Sequence, residues 1–186
     1  MRGKPNYNAI IADYRALRSQ GNDTWLLDCA KTRDVVHVIE MAALARDLDN
    51  DKHPHQHRIP NVVLRQFADR LLKNAEAILV CKTFTQLHDL ITSLRSRGIG
   101  RLTVYDTAHR IGTRLRIRPD KVYMHQGTRV GTELYLGRKV LEKAVDKSQF
   151  SHFRHLSCEE IEDIMCIYKD DFLDSKSAGK TRSKNC

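Results

Sequence analysis

At 186 residues, 41% hydrophobic and 30% charged, the chain has the composition of a globular protein: one domain with a substantial core, or two small lobes about a cleft. No apolar run nears membrane-spanning length, and the start, Met1 to Asn6, lacks the apolar stretch of a signal peptide. An intracellular, cytoplasmic protein with no membrane partner is therefore expected, and its net charge of +9 favours a polyanion over an acidic-surface role.

Apolar residues recur at helical spacing almost throughout. Ile10, Ile11, Tyr14 and Leu17 define a first helix, ended by Gly21 and Asn22. A longer pattern starts after Asp23 and carries Trp25, Leu26, Cys29, Val35, Val36, Ile39, Ala42, Ala43 and Leu48, as one helix running to Asp49-Asn50-Asp51. Residues 51–60 form a polar loop, and Pro60 is well placed to start a helix through Val63, Leu64, Phe67, Leu71 and Leu72. The segment Ala75 to Val80 leads into a helix through Phe84, Leu87, Leu90, Ile91 and Leu94. Val104, Ala108, Ile111 and Leu115 make one face of the next, which must stop before Pro119.

Beyond Pro119, Val122-Tyr123-Met124 reads as extended. Gly127, Gly131 and Gly137 punctuate a short helix near Glu133, and residues 138–145 read as helical again. Ser157 with Glu160 forms a capping-box pattern that opens a helix to Phe172. Residues 174–186 are polar and basic and read as a disordered tail. The five cysteines, Cys29, Cys81, Cys158, Cys166 and Cys186, are odd in number and scattered, so they read as reduced thiols. The fold expected is all-α, a compact multi-helix domain over residues 1–173 with eight or nine helices and strands at most marginal.

Between two of these helices lies the stretch Gly98-Ile99-Gly100-Arg101-Leu102-Thr103-Val104-Tyr105-Asp106. Glycine lets the backbone take positive φ and approach another backbone closely, and the start of the following helix presents unpaired N–H groups suited to a phosphate. Arg95, Arg97 and Arg101 flank the turn. Residues 95–138 hold ten Lys or Arg against three acids, a net +7 of the chain's +9. Clustering of this kind suits phosphates through counterion release, or else forms a solvated basic surface.

Leu94 through Ala108 resembles the helix-hairpin-helix element of the DNA glycosylase superfamily of base-excision enzymes, with the element spanning residues 87–117. The resemblance implies double-stranded DNA as partner, a monomer with no cofactor, and contacts to DNA from Gly98, Ile99, Gly100, Arg101, Thr103, Arg95, Arg97 and Arg129. In that family a catalytic aspartate follows the hairpin after one helix. Asp120, 22 residues after Gly98 and just past Pro119, has similar spacing. Members that also cleave the strand carry a lysine where this chain has Leu102, so the resemblance implies a monofunctional enzyme that leaves an abasic site. A bulky modified base, such as those of phage DNA, is among the substrates considered.

Loss of a base builds positive charge on the sugar, which a carboxylate can stabilise while it orients water. Asp120 is the first candidate and Asp106 the reserve. The alternative for Asp120 is a helix N-cap, and for Asp106 a cap or an i,i+4 pair with Arg110. His125, as a second catalytic candidate, and Gln126 are expected to wall a base pocket with Asp106. Tyr105 and Tyr123 are expected to stack on an extruded base, or else to belong to the core, as does Trp25. The run His53-Pro54-His55-Gln56-His57 offers alternating histidines for a divalent ion, with Asp49 or Asp51 nearby, or a polar loop touching DNA. The loop reading is preferred and no metal is assigned. A non-catalytic DNA-binding module and a metal-dependent nuclease using this loop are the competing functions.

Overall fold

The computed structural model describes residues 5–19 and 24–172. The helix stop at Gly21 and Asn22, the tail at 174–186 and Cys186 lie outside them. Nine α-helices occur among the described residues: α1 (Tyr7–Ser19), α2 (Thr24–Lys31), α3 (Val35–Leu44), α4 (Asn61–Lys73), α5 (Ala75–Leu79), α6 (Phe84–Leu94), α7 (Arg101–Leu115), α8 (Gln126–Leu136) and α9 (Cys158–Ile167). Two short strands, β1 (Val122–Tyr123) and β2 (Ala144–Val145), pair antiparallel with Val122 opposite Val145. The protein is thus mostly helical, as its apolar periodicity requires.

The chain divides into two compact units: residues 23–120, and residues 1–22 with 121–186. The sequence reads as one domain over 1–173.

In the unit of residues 23–120, α7 is the central helix and packs against α2, α3 and α6, while α3 also packs on α4. It is central because it buries residues on more than one face, among them Val104, Tyr105, Ala108, Ile111 and Gly112. A Cβ at Gly112 would lie 2.5 Å from the carbonyl oxygen of Ile117, so only glycine lets the chain fold back there. The single long helix expected from Asp23 to Leu48 is instead two. Asp34 accepts a hydrogen bond from the Val36 N–H and caps α3, and Arg114 of α7 takes the carbonyls of Thr32 and Arg33, each at 2.8 Å. That capture from 80 residues away ends α2. Ala45 in the left-handed region then ends α3 before Leu48, which is exposed.

In the other unit, α9 packs against α1, α8 and β1 around Ile10, Ile11, Tyr14, Val122, Phe150, Phe153, Ile161 and Met165. Tyr14 donates to Asp163 at 2.8 Å and Tyr168 donates to Asp13 at 2.9 Å, so two phenols tie α1 to the α9 segment. The capping box at Ser157 and Glu160 is present. The helix it opens ends at Ile167, and a 3-10 turn carries the chain on to Phe172.

Two expectations for this unit are corrected. Gly127 and Gly131 do not break α8 but lie inside it, because a Cβ at Gly131 would stand 1.8 Å from the Met165 carbonyl oxygen and one at Gly127 2.3 Å from Cys166 Sγ. They let α8 and α9 approach closely, and only Gly137, at positive φ, ends the helix. Residues 138–145 form no helix. Their carbonyls are taken from outside the segment, at Val140 and Glu142 by the Arg129 guanidinium and at Lys143 by the Met124 N–H, which leads into β2. Cys29, Cys81 and Cys158 are reduced thiols, whereas Cys166 is disulfide-bonded, which corrects the reading of all five as reduced.

Candidate nucleic-acid interface

The turn between α6 and α7 is built from both ends. Thr83 and Gln86 form a reciprocal capping box that starts α6, and Arg95 is its C-cap. Ile99 N–H then donates to the Ser96 carbonyl at 3.1 Å, closing a four-residue turn whose third residue, Gly98, has φ +92°. Ile99 is buried and pins the turn to the core. Arg70 of α4 donates to the Arg95 carbonyl at 3.3 Å.

Gly100 caps α7 with extended backbone and no side-chain hydrogen bond. The helix ladder begins with Val104 N–H on the Gly100 carbonyl, so the amides of Arg101, Leu102 and Thr103 lack a capping partner. No acidic residue stands in the first turn. A Cβ at Gly100 would meet nothing within 4 Å, so the space before these amides is open. Arg95, Arg97 and Arg101 are exposed around it. Ser96 is buried, and its hydroxyl has no hydrogen-bond partner among the described residues. This end of α7 therefore offers positive charge, the helix dipole and unused donors together.

Six residues into α7 lies a second group. Asp106 Oδ2 accepts from Gln56 Nε2 at 2.6 Å and lies 3.1 Å from His55 Nδ1. Gln56, fully buried, also accepts from Arg110 Nη2 at 3.4 Å. Burial alone would raise the Asp106 pKa, but the His55 hydrogen bond, the charges of Arg110 and His55 and the Gln56 hydrogen bond outweigh it and hold the carboxyl at about 2. Trp25 packs edge-on to His53, with ring centroids 4.6 Å apart. Its indole N–H is buried without a hydrogen-bond partner among the described residues, as is Arg110 Nη1. Asp106 thus pairs with loop residues 50 positions away, and Arg110 meets it through Gln56 rather than directly at i,i+4.

Other candidates are placed differently. Asp120 is exposed, and Thr85 donates to its carboxylate at 2.9 Å. Tyr105 is 4% exposed and packs against Phe84 and His109, and Tyr123 is buried in β1, so both rings are core rather than stacking platforms. His125 is also buried, bonded to Glu162 and to Thr128, whose hydroxyl donates to Glu162 at 2.6 Å. That imidazole belongs to an interior polar network instead of a pocket wall. Gln126 is exposed beside it. Arg129 is engaged with the Val140 and Glu142 carbonyls, and the Thr103 side chain is buried, leaving its amide as the group facing the turn.

Compared with known proteins, the chain matches no family model, no curated protein and no solved structure. The geometry above therefore carries the functional argument by itself. No helix among the described residues is long and apolar enough to cross a membrane. The sequence reading places Gln56 only within the histidine run and Arg110 only as an i,i+4 partner of Asp106, and brings neither together with His55. The sole signal for them was their place beside His55 and one turn past Asp106.

Proposed function

We propose that this protein binds double-stranded DNA through the α6–α7 turn, as a helix-hairpin-helix element does, and acts there as a monofunctional DNA glycosylase. One observation carries the reading: the uncapped amides of α7 open onto free space at Gly100, between the exposed Arg95, Arg97 and Arg101. A phosphate fits the donors and the charge, and glycine at position 100 admits it without a side chain in the way.

For base removal, Asp120 is the assisting carboxylate. Its solvent-facing position leaves it open to a sugar, with Thr85 holding its orientation. Water adds to C1′ as the C1′–N bond breaks, and the departing base takes the proton, leaving an abasic site. A modified base, including the bulky ones of phage genomes, is the substrate class. Burial of Tyr105 and Tyr123 favours a second reading, a module that grips DNA without base chemistry.

The two readings separate in one experiment. Duplexes carrying a panel of modified bases are incubated with the protein and treated with alkali, while binding is followed by fluorescence anisotropy. Excision predicts breaks at one modification, lost in Asp120→Asn with binding retained. Binding without breaks on any substrate leaves the module, and absence of binding sinks both.

A further inference from the structure

The loop histidines that DNA binding does not use converge on α7. His53, His55 and Asp106 each offer one ligand atom, and these three atoms lie within 4.8 Å of one another. We propose that they form a binding site for a divalent transition-metal ion of the zinc class.

The site is built rather than incidental. His53 caps the 3-10 turn Pro54–Gln56, with Pro54 fixing the backbone between the two histidines, and the His55 N–H donates to His53 Nδ1 at 3.2 Å. The His53 N–H is held by the Ala45 carbonyl at 2.9 Å, and Lys52 donates to the Ile59 carbonyl, so both ends of the loop are tied down. The third ligand comes from a different element, the central helix α7, as a folded metal site requires. Gln56 donates to Asp106 Oδ2, the same oxygen that faces His55, and so fixes the orientation of the carboxylate.

The distances suit one small ion. Two donors each about 2.0–2.2 Å from a tetrahedral zinc ion stand roughly 3.4 Å apart. His55 Nδ1 and Asp106 Oδ2 are already 3.1 Å apart, so replacing the shared proton by a metal needs little movement there, and with all three ligand atoms within 4.8 Å the His53 arm has about 1.4 Å or less to close. Two imidazoles and one carboxylate, without thiolate, favour zinc, cobalt or nickel over magnesium or calcium. His55 and Asp106 keep partly exposed side chains, 23% and 12%, which provides entry and leaves a fourth position for water. Arg110 is the arginine whose charge reaches Asp106. It bonds to Gln56 and not to the carboxylate, so it lowers affinity without occupying a ligand.

The test uses the full chain stripped with chelator, without DNA, so its failure is distinguishable from failure of the DNA reading. Zinc is titrated calorimetrically and cobalt by visible absorption. One ion per chain with tetrahedral cobalt bands is expected. Affinity should fall by about tenfold or more in His53→Ala, His55→Ala and Asp106→Asn, and stay unchanged in His57→Ala, whose side chain is exposed and outside the cluster. Circular dichroism of each stripped variant reports folding, and the wild-type cobalt spectrum depends on no variant. Absence of binding, a thiolate-to-cobalt band, or wild-type affinity in the His53→Ala or His55→Ala variant would overturn the site.

Discussion

Asp106 shows how a partly buried carboxylate is kept charged by its neighbours. Its carboxyl lies at about 2 against an ordinary 3.8, with hydrogen bonds and positive charge overcoming burial. The lowered value means the folded state holds the anion more tightly than the unfolded one. The stability this contributes is present above about pH 4 and is lost as the pH falls to about 2. Asp106→Asn should therefore lower the unfolding free energy at pH 7 by about 2 kcal/mol. The gap to wild type, read from urea melts, should close between pH 4 and pH 2, and a gap independent of pH would refute the electrostatic account. Of these partners the sequence offered only Arg110, at i,i+4; His55 and Gln56 were not readable as partners of Asp106. Asp49 and Asp51, the acids adjacent to the histidines, were the natural choice there, yet the acid that reaches His55 is 51 positions away.

At the scale of elements, the two turn glycines have opposite reasons to be glycine. Gly98 sits at φ +92°, and an added Cβ would also press on Val63 at 3.2 Å. Gly98→Ala should cost about 1–2 kcal/mol in thermal or denaturant unfolding, from left-handed backbone strain and crowding. Gly100 has φ −84° and open space, so nothing inside the molecule demands glycine there. Gly100→Ala should leave stability within about 0.5 kcal/mol. If a phosphate occupies that space, the same variant should weaken duplex binding measurably, and unaltered binding would remove the main support for the clamp. The helix start at Ser157 was legible because capping chemistry is local, while the equivalent box of Thr83 and Gln86 emerged only in the structure. Residues 138–145 were misread because their periodicity is helical while their carbonyls bond to Arg129 and Met124.

For the whole molecule, a net +9 would make association with a polyanion sensitive to salt, but the fold decides which charges count. Arg110, Arg114 and Arg129 are bonded internally, whereas the guanidinium groups of Arg95, Arg97 and Arg101 are exposed and make no hydrogen bond or ion pair among the described residues. With those three meeting phosphates, the logarithm of the binding constant against the logarithm of salt concentration should have a slope of about −3. Replacing Arg97 and Arg101 by Ala should reduce that slope by about 2, while Arg129→Ala should leave it unchanged. A slope insensitive to Arg97 and Arg101 would move the interface elsewhere.

By itself the sequence determined the helical class, the capping box at Ser157, the turn at Gly98 and the basic stretch around it. Each is written within one or two helical turns, where periodicity, cap chemistry and glycine backbone freedom act. Only the tertiary structure decided that α2 and α3 are separate, that Tyr105, Tyr123 and His125 are interior, and that Asp106 meets the histidine loop. Those outcomes depend on pairings between residues dozens of positions apart, whose hydrogen bonds and burial leave no trace in local spacing.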